Sequence, residues 1–236
     1  GWAGLIFGVY AINFLWAPLI DRLHLPYLSK KLGHRKSWII LMQIIIFISL
    51  LVWSFLDPSK NLWLVIAVGL GIAISSATQD ITIDALRIEQ IGENEKDLLS
   101  AGAAISVVGW WTGYKIGGLI SLISADMLQK QGIENYWQIS FLILSALITL
   151  CSLGLLFIPE QNSVGKIKLQ KLSDQRIIDK IGTSNNFVKI FAWFFGAVIN
   201  PLLSFFKKNT LGVAFAILGF IFLFKIGEAF LGRMSL

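Results

Sequence analysis

Apolar residues in this chain come in long runs: Gly1 to Ile20, Ser37 to Phe55, Leu62 to Ile83, Ser100 to Ser124, Tyr136 to Ile158 and Leu211 to Leu231. Each run is about 20 residues long, the length of a helix that crosses a bilayer, so the pattern predicts six spans in an all-α, polytopic transmembrane bundle. Between them lie a charged hairpin at Asp21 to Lys36 with Pro26 and Gly33 as turn signals, a short DPSKN turn at Asp57 to Asn61, and a polar connection at Arg87 to Leu99 read as a solvated loop. A long polar segment, Gln161 to Asn186, follows the fifth span. The stretch Phe187 to Phe206 is apolar but holds Lys189, Asn200 and Pro201, with Lys207 and Lys208 next. It reads as an amphipathic or partly inserted interfacial helix in preference to a seventh span, because crossing would leave only about three residues to turn into the sixth span.

Composition sharpens this picture. Of 236 residues 56% are hydrophobic and only 14% charged, with nine Trp and seventeen Phe, and the mean hydropathy is +0.72. Those values describe an integral membrane protein and leave little room for a soluble domain. The formal charge of +6 is not spread evenly. Five Lys and Arg fall in the first hairpin, two in the Arg87 to Leu99 connection and eight between Gln161 and Lys208, all on the side that alternation of spans makes common. Lys60, Lys130 and Arg233 fall on the other side, so the crowded side is cytoplasmic, and the basic surplus reports topology rather than nucleic-acid binding. Cys151 is the single cysteine, which excludes an internal disulfide. The chain opens at Gly1 inside an apolar run and closes at Leu236 just after another, and is expected to be a piece of a longer one.

Few residues in the spans can carry chemistry. Asp80 and Asp84 are four apart in the segment SSATQDITIDALR, so they share a helical face with Ser76 a turn before Asp80 and Arg87 within reach of Asp84. Two acids so near hydrocarbon call for a partner, a proton or a wet cavity; the plain alternative is that they cap the helix at the headgroups. Lys115 and Lys225 each lie about 20 Å from the cytoplasmic ends of their spans, at about 1.5 Å per residue. Glu228 can pair locally with Lys225, whereas Lys115 has no acid within a turn and can snorkel outward. Trp110, Trp111 and Tyr114 beside Lys115 could stack on a ring, or simply fill space between helices. Gln79 and Asn13 are further polar groups at depth. Gly109, Gly113 and Gly117 make a stripe of small residues on which another helix could pack. The acids share one helix instead of facing each other from two, and His24 and His34 both sit in the hairpin away from any Cys and carboxylate cluster, so neither an intramembrane aspartyl protease nor a metal site is expected and no cofactor is called for.

FLWAPLIDR at Phe14 to Arg22, LGHRKSW at Leu32 to Trp38, SSATQDITIDA at Ser75 to Ala85, GAAISVVG at Gly102 to Gly109 and KIGEAF at Lys225 to Phe230 together resemble the AmpG-type muropeptide permeases of the major facilitator superfamily. The resemblance covers nearly the whole chain apart from the central polar segment. It implies that residues 1–160 correspond to five helices of an N-terminal half whose first helix is missing, 161–209 to the cytoplasmic central loop, and 210–236 to the first helix of the C-terminal half. It further implies a proton-driven importer of anhydromuropeptides in the bacterial inner membrane, working as a monomer when full length, with the lipid bilayer, protons and an anionic small molecule as its partners. Asp80, Asp84 and Glu228 would then couple protons, while Lys115, Lys225, Gln79, Trp111 and Asn13 would contact substrate. Asp21, Arg22 and Arg35 would take the parts of the superfamily's charged cytoplasmic gate. One departure stands out: where the family carries a basic residue, Trp110 and Trp111 stand and Lys115 follows a turn later. That leaves open another anionic solute such as acetyl-CoA, and a truncated remnant that transports nothing is the third reading.

Overall fold

A computed structural model of the chain describes residues 8–10, 12–56, 60–92, 95–158, 199, 203, 205–220 and 223. The chain divides into two compact units, one made of Gly1–Tyr10 and Leu25–Asn162, the other of Ala11–His24 and Ser163–Leu236. Among the described residues every regular element is helical.

In the second unit a 3-10 turn at Asn13–Leu15 leads into α1 (Ala17–Arg22), with Pro18 in its first turn. The first apolar run is therefore not one continuous helix, as the sequence had suggested. Pro18 brings no N–H to an α-helical ladder, and the chain turns at Trp16 before helix resumes. Later in this unit residues 205–208 are helical, and α7 (Leu211–Phe220) buries Ala214 completely. The Phe206 and Phe215 rings lie 5.6 Å apart. The rest of the expected sixth span, with Lys225 and Glu228, lies outside the described residues, as do most of the interfacial segment before it and Asp57 to Ser59 of the expected turn.

The first unit holds α2 (Leu28–Leu32), α3 (His34–Phe55), α4 (Leu62–Ile91), α5 (Lys96–Lys130) and α6 (Tyr136–Leu156). Pro26 and Gly33 act as the turn signals they resemble. The chain bends after Pro26, and Gly33, at φ +94°, separates α2 from α3 in a conformation that favours glycine. α3 is the central post, packed along α4 on one side and α6 on the other, while α5 leans mainly on α6. Trp53 fixes one end of the post: its indole N–H donates to the Val65 carbonyl of α4 at 3.1 Å, and its ring lies 5.4 Å from Phe141 of α6.

The distribution of side chains is that of a membrane bundle. α3 buries Gln43 and Ser54 together with Ile39, Met42, Ile46 and Leu50, yet exposes Ile44, Ile48, Val52 and Phe55. A helix bathed in water would turn those four inward; hydrocarbon outside the bundle removes the reason to hide them. Several hydroxyls bond within the bundle. Thr82 donates to the Thr78 carbonyl at 2.8 Å, Ser145 to that of Phe141 at 2.8 Å, and Ser124 of α5 reaches the Ser140 hydroxyl of α6 at 3.1 Å.

Close backbone approach comes from a stripe the sequence reading passed over. Gly69, Ala73 and Ala77 recur every fourth residue along the buried face of α4, and Ala77 is wholly inaccessible. By contrast, a side chain added at Gly109, Gly113 or Gly117 of α5 would meet nothing within 4 Å, so that glycine stripe packs no helix among the described residues.

Among the described residues three helices, α3, α4 and α6, are long and apolar enough to cross a membrane. α5, the expected fourth span, is 35 residues long but is not among them, because its glycines, its aromatic cluster and Lys115 dilute the apolar run. Two helices also overrun the expected boundaries. α4 continues to Ile91, and α5 begins at Lys96, so the supposed loop from Arg87 to Leu99 shrinks to a few residues around Gly92. At about 1.5 Å per residue α4 is about 45 Å long, more than a hydrocarbon core of about 30 Å, and its last turns emerge as a charged helix.

Candidate functional site

The two acids of α4 turn out to have different surroundings. Asp84 is exposed and pairs with Arg87 at 3.1 Å, one turn along the same helix. Arg87 also donates to the Gly102 carbonyl of α5 at 3.2 Å, so a single guanidinium holds the acid and the start of the next helix. Asp80 lies one turn deeper and is half-buried. Tyr10, from the helical residues 8–10, lies near Ser76 and Asp80. Ser76, Asp80 and Asp84 thus follow one line along the helix, as their spacing predicts, but only the outer acid has a cation beside it in its own sequence. Gln79 is half-buried next to Asp80.

A second charged cluster forms where α3 begins. His34, Arg35, Lys36 and Ser37 are buried, although the sequence reads as the end of a charged hairpin. Arg35 donates to Glu89 of α4 at 3.1 Å, and Lys36 donates to the carbonyl of Leu156, the last residue of α6, at 3.3 Å. Both partners lie at helix C-termini, where free carbonyls and the helix dipole favour cations. Asp21 and Arg22 end α1 in the other unit, Asp21 exposed and Arg22 half-buried, and the Nδ1 of His24 lies 3.1 Å from the Arg22 carbonyl oxygen.

The substrate-side expectations fare unevenly. Lys115 is exposed, and among the described residues no acid pairs with it. Trp110 and Tyr114 stack with centroids 5.8 Å apart, and Trp111 meets Trp110 edge-on at 5.2 Å. All three rings remain about half exposed, so they do not fill space between described helices. Asn13 is half-buried in the 3-10 turn rather than in a span helix. Among the described residues no group of His, Cys, Asp and Glu could hold a metal ion.

Tyr10 and Glu89 are the residues that sequence reasoning missed. Glu89 was legible in principle, since no glycine or proline stands between Asp80 and Gly92 to stop the helix. Tyr10 carried no local signal beyond a phenol at span depth.

No family model matches the chain. It is 30% identical over 226 residues to a protein of Rickettsia felis named putative transporter AmpG 4, an alignment that takes in 96% of this chain and 47% of that protein. It is 32% identical over 231 residues to the anhydromuropeptide permease of Escherichia coli, covering 98% of this chain and 39% of that protein. A 109-residue stretch is 39% identical to putative transporter AmpG 1 of Rickettsia conorii. The chain spans about half, or less, of the length of the curated relatives it matches. Over nearly all of its own length, then, this membrane-helix chain is a homologue of the AmpG-type permeases.

Proposed function

We propose that the intact protein is a proton-driven secondary transporter of the major facilitator type that imports anhydromuropeptides across the bacterial inner membrane, with Asp80 as its proton-coupling acid. The observation that carries this reading is the unequal setting of the two acids. Asp84 is exposed and held by Arg87 at 3.1 Å, whereas Asp80 lies one turn earlier on the same helix and is half-buried. A half-buried carboxylate on a span helix can take up and release a proton as its surroundings change, which is what coupling to a proton gradient requires. The names of the relatives supply the substrate class. Lys115 and Lys225 would attract the anionic substrate, with Gln79, Trp111 and Asn13 as further contacts and Glu228 as a second proton carrier. Arg35 would belong to a cytoplasmic gate with Asp21 and Arg22, and its bond to Glu89 supports a closed arrangement of α3 against α4.

The test is uptake of labelled anhydromuropeptide into cells lacking their own permease, with and without a protonophore, by the intact protein and its Asp80→Asn variant. Uptake that collapses with the protonophore, and fails in Asp80→Asn despite normal membrane insertion, is the expected result. Uptake of acetyl-CoA in place of muropeptide would favour the second reading, for which the exposed rings of Trp110, Trp111 and Tyr114 beside Lys115 offer a stacking surface. Accumulation by Asp80→Asn at the parent level would remove that acid from the mechanism.

A further inference from the structure

One end of the α3, α4 and α6 bundle gathers aromatic rings. Trp53, near the end of α3, donates to the Val65 carbonyl of α4 at 3.1 Å and lies 5.4 Å from the Phe141 ring of α6, so these three positions share one level. Trp63 stands two residues before Val65. Trp137, one turn before Phe141, lies 6.3 Å from that ring, and Tyr136 lies 5.8 Å from Trp137. Trp63 is 69% exposed, and Phe55, Leu62 and Trp137 are exposed as well. The opposite end gathers charge instead: Arg35 meets Glu89, Lys36 meets the Leu156 carbonyl, and Arg87 meets Asp84.

The separations of the two ends agree on all three helices. At about 1.5 Å per residue, Trp53 stands about 27 Å from Arg35 along α3, Trp63 about 31 Å from Asp84 along α4, and Trp137 about 28 Å from Leu156 along α6. Each is close to the thickness of a hydrocarbon core, about 30 Å. Between those levels Asp80 is the single charged side chain on the three helices. Indole and phenol rings suit a boundary of this kind, because each has an apolar body and one N–H or O–H that keeps to water or headgroups.

We infer that Trp63, Tyr136 and Trp137 are the anchors of this bundle in a phospholipid headgroup layer, so that the aromatic level marks one face of the bilayer and the charged level the other. Asp80 then lies one turn, about 6 Å, inside the charged face and about 25 Å from the aromatic one, and the nearer water is that beyond the charged level. The placement needs only that these helices cross a bilayer, and it holds whichever solute is carried.

The experiment spin-labels single cysteines at exposed positions of the intact protein in phosphatidylcholine and phosphatidylglycerol liposomes, after Cys151→Ser and replacement of any other thiol. Depth is read from collisions of the label with lipid-soluble oxygen against a water-soluble nickel chelate. Phe55→Cys and Leu62→Cys should read at headgroup depth, Ile44→Cys and Ile74→Cys about 15 Å deeper at the centre of the bilayer, and Ile88→Cys back in water. Uniform depth along α4, or greatest depth at Leu62→Cys or Ile88→Cys, would overturn the placement. Trp63→Leu combined with Trp137→Leu tests the anchors themselves. In that background the Phe55→Cys label should move toward the bilayer centre, while a label at Ile74→Cys that stays deep shows that the bundle is still inserted. An unmoved Phe55→Cys label would reduce the rings to ordinary apolar surface and overturn the anchoring.

Discussion

Arg35 and Glu89, 54 residues apart in the chain, meet at 3.1 Å where the start of α3 crosses the end of α4. The Arg35 side chain is only 9% exposed and that of Glu89 30%, so the pair is partly withdrawn from water and its charges are poorly screened. At the opposite end of α3, Trp53 bonds the same neighbour, α4, through the Val65 carbonyl. The post is pinned at both ends.

Glu89→Gln should therefore destabilise the bundle by about 2 kcal/mol, because it leaves a buried guanidinium facing a neutral amide. Thermal unfolding in detergent measures this. The reversed pair, Arg35→Glu with Glu89→Arg, should recover part of the loss. Equal midpoints for the single and reversed variants would mean that the ion pair contributes nothing.

The two small-residue stripes should respond in opposite ways. Ala77→Leu forces a large side chain between α4 and its neighbours at a wholly buried position and should cost about 1–3 kcal/mol. Gly113→Ala adds a methyl to open space on α5 and should be neutral or stabilising by up to about 1 kcal/mol, through helix propensity. Unfolding midpoints of the two variants in the same detergent decide it. A Gly113→Ala loss as large as that of Ala77→Leu would show that the α5 stripe is packed after all.

Gly102 lies at a close crossing of α4 and α5 that a methyl would feel. A Cβ there would lie 2.8 Å from the Ile91 Cδ1 and 3.3 Å from the Arg87 Cδ. The Ile91 methyl is the free end of a side chain and can rotate away, so Gly102→Ala should change stability by no more than about 1 kcal/mol. Gly102→Leu must displace Arg87, breaking its 3.2 Å bond to the Gly102 carbonyl and loosening Asp84. We expect it to lower the unfolding midpoint well below that of the alanine variant, and indistinguishable midpoints would contradict the crossing.

Hydrophobic run length alone determined that this chain is a set of membrane helices, because no backbone can lie unpaired in hydrocarbon and about 20 apolar residues in a row have few other places to go. Spacing alone also determined that Ser76, Asp80 and Asp84 share a face and that Arg87 reaches Asp84, since a turn of helix fixes those neighbours. Contacts between helices obey no such local rule. The sequence marks Gly109, Gly113 and Gly117 as the packing stripe, but small residues only permit close approach, and it is α4, with Gly69, Ala73 and Ala77, that another helix meets. Likewise Arg35 and Lys36 read as charges of a hairpin until α4 brings Glu89 to the first and α6 its C-terminal carbonyl to the second, and Tyr10 reads as another aromatic until its segment comes near Ser76. Periodicity decides which side chains share a helix face; only packing of the bundle decides what that face touches.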